Sequence, residues 1–189
     1  IGTFAGQTNQ ASNAVAIGYQ AGQGSATVGD FQGDAAIAIG EEAGKTTQGA
    51  ISVAIGRAAG KTTQGLAAVA VGNAAANIDQ GDYASAFGHT AGNTSQGDSA
   101  VAIGREAGKT TQSGNAVAVG RSAGQNTQGQ SSVAVGYSAG NTNQANYAIA
   151  MGFRAGMGSA TVGDFQGSNS VAIGKDAGKN TQGANSVAV

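Results

Sequence analysis

A repeat of sixteen residues runs through the chain and limits the folds open to it. Each copy contains a short apolar segment that is closed by glycine, and ten intervals separate these glycines. Eight intervals are sixteen residues long and two are twenty-two. A unit this short cannot bury a core by itself, so successive units must stack on one another. The closing glycines are Gly2, Gly18, Gly40, Gly56, Gly72, Gly88, Gly104, Gly120, Gly136, Gly152 and Gly174.

The apolar segments have the pattern of short strands. Val15, Ala16 and Ile17 alternate toward two sides of an extended backbone, and glycine is too frequent for helices. We therefore predict an all-β fold, a parallel β-solenoid with sixteen-residue coils and two coils of twenty-two residues. Residues 1–189 form one repeat domain of eleven coils, which at about 4.8 Å per coil gives a rod roughly 50 Å long. We expect this domain to be a fragment of a longer fibre.

Composition excludes several other classes of protein. Glycine supplies 34 of 189 residues without a three-residue period and without proline, so the chain is not collagen. An apolar content of 40% is too high for a disordered chain. Cysteine is absent and the formal net charge is −1, so disulfides, thiolate metal sites and a basic stripe for nucleic acid are not expected. No apolar run is long enough for a membrane helix.

One alanine per repeat predicts a face for self-association. We expect Val15, Ile17 and their equivalents to fill the coil interior and the alanine between them to form a flat outer face against another backbone. The alternative is that both sides lie inside one narrow coil. The predicted association face consists of Ala16, Ala38, Ala54, Ala70, Ala86, Ala102, Ala118, Ala134, Ala150 and Ala172.

One glutamine per repeat predicts a ladder of side-chain amides. In stacked coils each amide can bond to the amides above and below. The alternative is a turn residue that bonds to its own backbone. The column consists of Gln10, Gln32, Gln48, Gln64, Gln80, Gln96, Gln112, Gln128, Gln144, Gln166 and Gln182.

Variable positions indicate where solvent is. The two residues after the closing glycine range from Arg105-Glu106 to Tyr137-Ser138, a mixture that no packed interior accepts. A second exposed set consists of Lys45, Lys61, Lys109 and Lys179.

The two longer coils share the segment GSATVGDFQG, at residues 24–33 and 158–167, which are 134 residues apart. We predict a protruding loop there and a duplicated block of the fibre. The loop would serve as a lateral binding element or mark where neighbouring chains interlock, with Phe31 and Phe165 as packing anchors. A copied insertion without a role is the alternative.

The VAIG-type segments, Ser52-Val53-Ala54-Ile55-Gly56 and Ser170-Val171-Ala172-Ile173-Gly174 most clearly, resemble the head repeats of YadA-like trimeric autotransporter adhesins. Similar repeats occur in phage and viral fibres. The resemblance implies a left-handed β-roll with three chains side by side, projecting from a cell surface or virion and binding matrix proteins or host receptors. The unit here is sixteen residues long, against about fourteen in the usual head repeat.

No catalytic set is evident, and we expect neither enzymatic activity nor a cofactor. The one histidine, His89, occupies a variable position. The segment from Gly22 to Gly29 lacks the ending of a phosphate-binding loop, and Asp30 with Asp34 supplies too few oxygens for calcium.

The function expected from the sequence is a structural or adhesive rod segment of an extracellular fibre. The alternatives are a phage or viral tail-fibre segment, a passive filament and, less favoured, an ice-binding solenoid. Threonine pairs such as Thr46-Thr47, Thr62-Thr63 and Thr110-Thr111 suggest the last of these, but Ile78-Asp79 interrupts their array.

Overall fold

The computed structural model describes residues 1–24, 31–158 and 165–189. It is an all-β solenoid of parallel strands, and no helix occurs among the residues described. Coils sixteen residues apart stack directly on one another, which confirms the predicted fold class. Ile103, for example, pairs with Val119 of the next coil.

Each coil contributes one strand to a long sheet. The eleven strands of this sheet are all parallel, and their order follows the chain. They are β1 (Val15–Ile17), β2 (Ile37–Ile39), β4 (Val53–Ile55), β6 (Val69–Val71), β8 (Ser85–Phe87), β10 (Val101–Ile103), β12 (Val117–Val119), β14 (Val133–Val135), β15 (Ile149–Met151), β16 (Val171–Ile173) and β17 (Val187–Ala188).

A second sheet contains the strands that end at glutamine. Its six strands are β3 (Thr47–Gln48), β5 (Thr63–Gln64), β7 (Ile78–Gln80), β9 (Thr94–Gln96), β11 (Thr111–Gln112) and β13 (Thr127–Gln128). Isolated parallel bridges between glutamines extend this sheet from Gln10 to Gln182. Each coil is therefore a flattened loop with one sheet on either side.

Two turns join the sheets in every coil. The first turn follows the closing glycine, as at residues 104–110, and the second turn follows the glutamine, as at residues 113–116. The longer coils keep the register of the long sheet, since Val15 pairs with Ile37 and Ile149 with Val171. The longer segments therefore do not shift the pairing of the strands that flank them.

The coil interior is narrow and filled by small side chains. In one coil Ala102, Ala107, Gln112 and Ala116 are all buried. The alanines of successive coils form one continuous cluster along the rod. Because coils are only about 4.8 Å apart, like residues lie over like, and one small residue per coil becomes a close-packed column.

Both turns require left-handed backbone at residues other than glycine. The third residue after each glutamine has φ between 51° and 59° in every described coil, and asparagine occupies this position at Asn13, Asn115, Asn169 and Asn185. Ile51 adopts the same conformation, with φ 59°, and its side chain is 65% exposed. A β-branched residue is the least suited to this region of backbone conformation. Ile51 is therefore strained, and because its side chain is mostly exposed, few packing contacts offset the strain.

We expect Ile51→Asn to raise the thermal midpoint of unfolding. Asparagine relieves about 1 kcal/mol of left-handed strain, which corresponds to roughly 2–4 °C for a chain of this size. The matched change Asn115→Ile, at the same position of another coil, should lower the midpoint by a similar amount. Circular dichroism melting of both variants measures the effect. Equal midpoints for the two variants would contradict the strain assigned to Ile51.

Candidate functional site

The glutamine column crosses the interior of the solenoid. Gln112 extends from the second sheet and donates from Nε2 to the backbone carbonyl of Val101 in the long sheet, at 2.8 Å. The same nitrogen lies 3.2 Å from the carbonyl of Ala116 in the following turn. Ten of the eleven glutamines make the bond to the opposite strand, so each brace ties the two sheets of a coil together.

The predicted glutamine ladder is confirmed over part of its length. Gln96 donates to Oε1 of Gln112 at 3.2 Å, and Gln112 donates to Oε1 of Gln128 at 3.0 Å. Six such steps are made in the described chain. The Oε1 atoms of Gln48, Gln64, Gln144 and Gln182 have no partner. The alternative of a turn residue is also borne out, since the same amides bond their own turns.

Glycine after the second alanine of each repeat makes room for this amide. At Gly108, with φ +51°, a Cβ atom would lie 2.6 Å from Oε1 of Gln112. Ala76 takes the equivalent position in one coil and keeps a left-handed φ of 43°. The Ala-Gly pairs are thus explained by the glutamine that folds back over them.

The predicted association face is wrong, because its alanines point into the coil. Ala38 and the eight later members of the column are fully buried, and Ala16 is 8% exposed. The alanines share the interior with the glutamine braces, and a Val or Ile side chain would not fit between the two sheets. The invariance of alanine reflects the narrow interior of its own chain, which was the alternative that the sequence left open.

The valine and isoleucine side chains instead point outward. Every outward position of the eleven strands except Ser85 holds Val, Ile, Phe or Met. The outward residues Val15, Ile17, Ile55, Phe87, Ile103, Met151 and Ile173 expose between 37% and 43% of their surface. We call these two columns the apolar strip. Sequence reasoning assigned these residues to the core, although the nearly constant apolar character of both columns could have indicated the strip.

The apolar strip is large for a surface in contact with water. Two columns of side chains over eleven coils cover roughly 50 Å by 10 Å, or about 500 Å². Soluble monomers rarely expose contiguous apolar patches of more than a few hundred Å², and such patches mark interaction sites. The strip is the strongest candidate for a functional surface on the described chain.

The second sheet offers a more polar and less regular surface. Thr47, Thr63, Thr111 and Thr127 point outward, but Asp79, Ser95 and Asn143 replace threonine and adopt left-handed φ values. A shallow groove of about 300 Å³ runs beside Asp79 and Ser95. The flat, regular array that ice binding needs is interrupted here.

Other positions weighed on the sequence have ordinary surroundings. His89 lies in the first turn, with Nδ1 3.3 Å from the hydroxyl of Thr90. Asp34 accepts the backbone N–H of Ser12 at 3.1 Å, whereas Asp30 lies outside the described residues. Within the described ranges, no group of three or more His, Cys, Asp or Glu residues could hold a metal ion.

The protruding loops fall largely on residues 25–30 and 159–164, outside the described residues. Phe31 and Phe165, which follow them, lie on the second sheet and are 42% and 43% exposed. No helix of the part described is long and apolar enough to span a bilayer.

No protein-family model, curated protein or solved structure matches the chain. The resemblance to YadA-like head repeats therefore remains a prediction that rests on the repeat residues.

We expect Gln112→Ala to lower the free energy of unfolding by about 2–4 kcal/mol, because it removes a buried brace and leaves a cavity. Thr111→Ala is the control, since Thr111 is the neighbouring exposed residue. Thermal melting compares the two. If the melting curve of Gln112→Ala overlays the wild-type curve, the Gln112 side chain does not stabilise the fold.

Proposed function

We propose that this chain is a structural rod segment of an extracellular fibre, assembled from parallel copies of itself that bury the apolar strip. The apolar strip on the long sheet, which Ser85 alone of the outward strand residues interrupts, carries this proposal. The solenoid supplies length and stiffness, and the variable residues of its turns supply an outer surface for attachment. The resemblance to adhesin heads supports an assembly of three chains at a cell surface or virion.

A second copy of the chain is the occupant that fits the strip best. Copies share the same axial spacing of about 4.8 Å, so side chains of one strip can interdigitate with those of another along the whole rod. A strip of about 500 Å² on each partner gives roughly 1,000 Å² of buried surface, which reaches the lower limit for a specific interface. A partner with another axial spacing would match only a few coils.

The outer surface suits attachment better than catalysis. The side chains that remain exposed include the mixed residues of the first turn, such as Arg105, Tyr137 and Lys175. They recur at a fixed interval along the rod, which allows several weak contacts to act together on one receptor or matrix polymer. Attachment by multivalent contact is therefore the adhesive role that we propose.

The test is the mass of the assembly in solution. We expect the wild-type chain to sediment as a multiple of 18.0 kDa. Ile103→Lys with Val119→Lys places two charges in the middle of the strip and should reduce the mass to that of one chain, because burying unpaired lysines is costly. A wild-type chain that sediments as a single copy would overturn the proposed assembly.

The control for this test is Thr111→Lys with Thr127→Lys. These two residues are paired neighbours on the exposed side of the second sheet. This variant carries the same added charge and should keep the wild-type mass. Circular dichroism of both variants checks that the solenoid is folded.

A further inference from the structure

Charge is segregated between the two edges of the rod. All nine Lys and Arg side chains lie in the first turn. Four carboxylates, those of Glu41, Glu42, Glu106 and Asp176, share this edge, which is therefore basic overall. The cations are Lys45, Arg57, Lys61, Arg105, Lys109, Arg121, Arg154, Lys175 and Lys179.

The opposite edge is acidic. Asp34, Asp82 and Asp98 lie in the second turn, and Asp79 lies in the strand that leads into it. Asp30 and Asp164 fall outside the described residues. Since every cation is on the first turn, the acidic edge has no internal partner for its charge.

Part of the basic edge is neutralised within the chain. Glu42 accepts from Lys45 at 2.8 Å and contacts Lys61 at 2.9 Å, and these hydrogen bonds hold the pKa of its carboxyl below the ordinary value. Asp176 pairs with Arg154 at 2.8 Å. These levels of the rod contribute little net charge to a neighbour.

The middle of the basic edge is different. Arg105 is 3.9 Å from Glu106 and half-exposed, and Arg121 lies over the ring of Tyr137 without a carboxylate partner. Lys109 likewise makes no ion pair in the described chain. This stretch therefore presents positive charge that the chain itself does not satisfy.

Two aspartates of the acidic edge lie near the level of this stretch. Asp98 is in the turn just before β10, the strand that Arg105 and Lys109 follow, and Asp82 is one coil earlier. Oδ1 of Asp82 accepts the backbone N–H of Leu66 at 2.8 Å, and Oδ1 of Asp98 accepts that of Asp82 at 3.0 Å. Both aspartates are exposed, so their negative charge faces solvent.

The direction of packing decides which edges meet. The apolar strip has the first turn along one border and the second turn along the other. Rotation about an axis parallel to the rod brings the first turn of one copy beside the second turn of the next, in a dimer or in a ring of three. An antiparallel pair that shares the strip would instead bring like edges together.

We infer that the basic edge of one copy docks against the acidic edge of the next copy in parallel orientation, with Arg105, Lys109 and Arg121 facing Asp82 and Asp98. This inference rests on the lateral association proposed above and names the side-chain contacts that would favour its parallel arrangement. The apolar strip supplies most of the contact, and the edges select the parallel arrangement because opposite charges attract and like charges repel.

Charge reversal on one edge or on both tests this docking. We expect Arg105→Glu with Arg121→Glu to weaken association about tenfold at low salt, and Asp82→Lys with Asp98→Lys to do the same. The variant that combines all four substitutions exchanges the signs of the two edges and should return to the wild-type association constant. If like edges meet, the single-edge variants would not both weaken association, and the combined variant would have no loss to restore.

Sedimentation at about 0.01 M and about 1 M salt provides the readout, because the Debye length falls from about 30 Å to about 3 Å. Wild-type association should weaken at high salt, and the differences between the variants should vanish there. Asp82→Asn with Asp98→Asn guards against misfolding, since Asn146 in the same column accepts the N–H of Gln130 at 2.9 Å through its amide oxygen. This milder variant should lose part of the salt dependence.

The possible failures are distinguishable. A wild-type chain that sediments as a single copy at both salt concentrations would overturn the proposed function itself. If neither charge reversal changes the mass or the association constant of the assembly, the docking of edges is overturned but the proposed assembly is not. Loss of association in the basic-edge variant only would also overturn the docking of edges.

Discussion

The narrow interior of the coil is the constraint on which the rest of this structure depends. Two sheets face each other across a space that accommodates alanines and one glutamine per coil, as Ala102, Ala107 and Gln112 illustrate. The glutamine side chain is long enough to cross the space between the two sheets, which alanine is not, and its amide donates to the backbone of the opposite strand. A buried amide is stable only when its donors are satisfied, so the coil geometry and the glutamine require one another.

Small interior residues determine what the surface is made of. Once alanine occupies the inward position of a three-residue strand, the two flanking side chains must point outward, because neighbouring residues of a strand alternate. Val101 and Ile103 therefore lie on the outer surface of the coil. In a coil with a wider interior, side chains of this size could have been buried. Because the coils stack in register, a side chain that points outward in one coil is repeated in the next, and the repeated side chains form a stripe along the rod. The apolar strip and the two charged edges arise in this way.

Departures from the repeat show how much variation the stack tolerates. Ala76 replaces a glycine beside the ladder, and Ser85 replaces an apolar residue of the strip, yet both coils pair normally with their neighbours. The twenty-two-residue coils also keep their pairing, since Gln144 still donates to Gln166 at 3.1 Å. Each coil is bonded on both sides, so a local irregularity is held by the register of the coils around it.

The sequence by itself determined the solenoid, its period, its parallel register and the position of the glutamine ladder, because each follows from a spacing that stacking must preserve. Only the tertiary structure decided which side of the strand is inside. Alternation separates Ala102 from Val101 and Ile103 but does not say which set is buried, and the usual preference for burying larger apolar residues gave the wrong answer. The glutamine that crosses the interior settles it, since Gln112 bonds the carbonyl of Val101 and the buried residues around it are small, such as Ala102, Ala107 and Ala116.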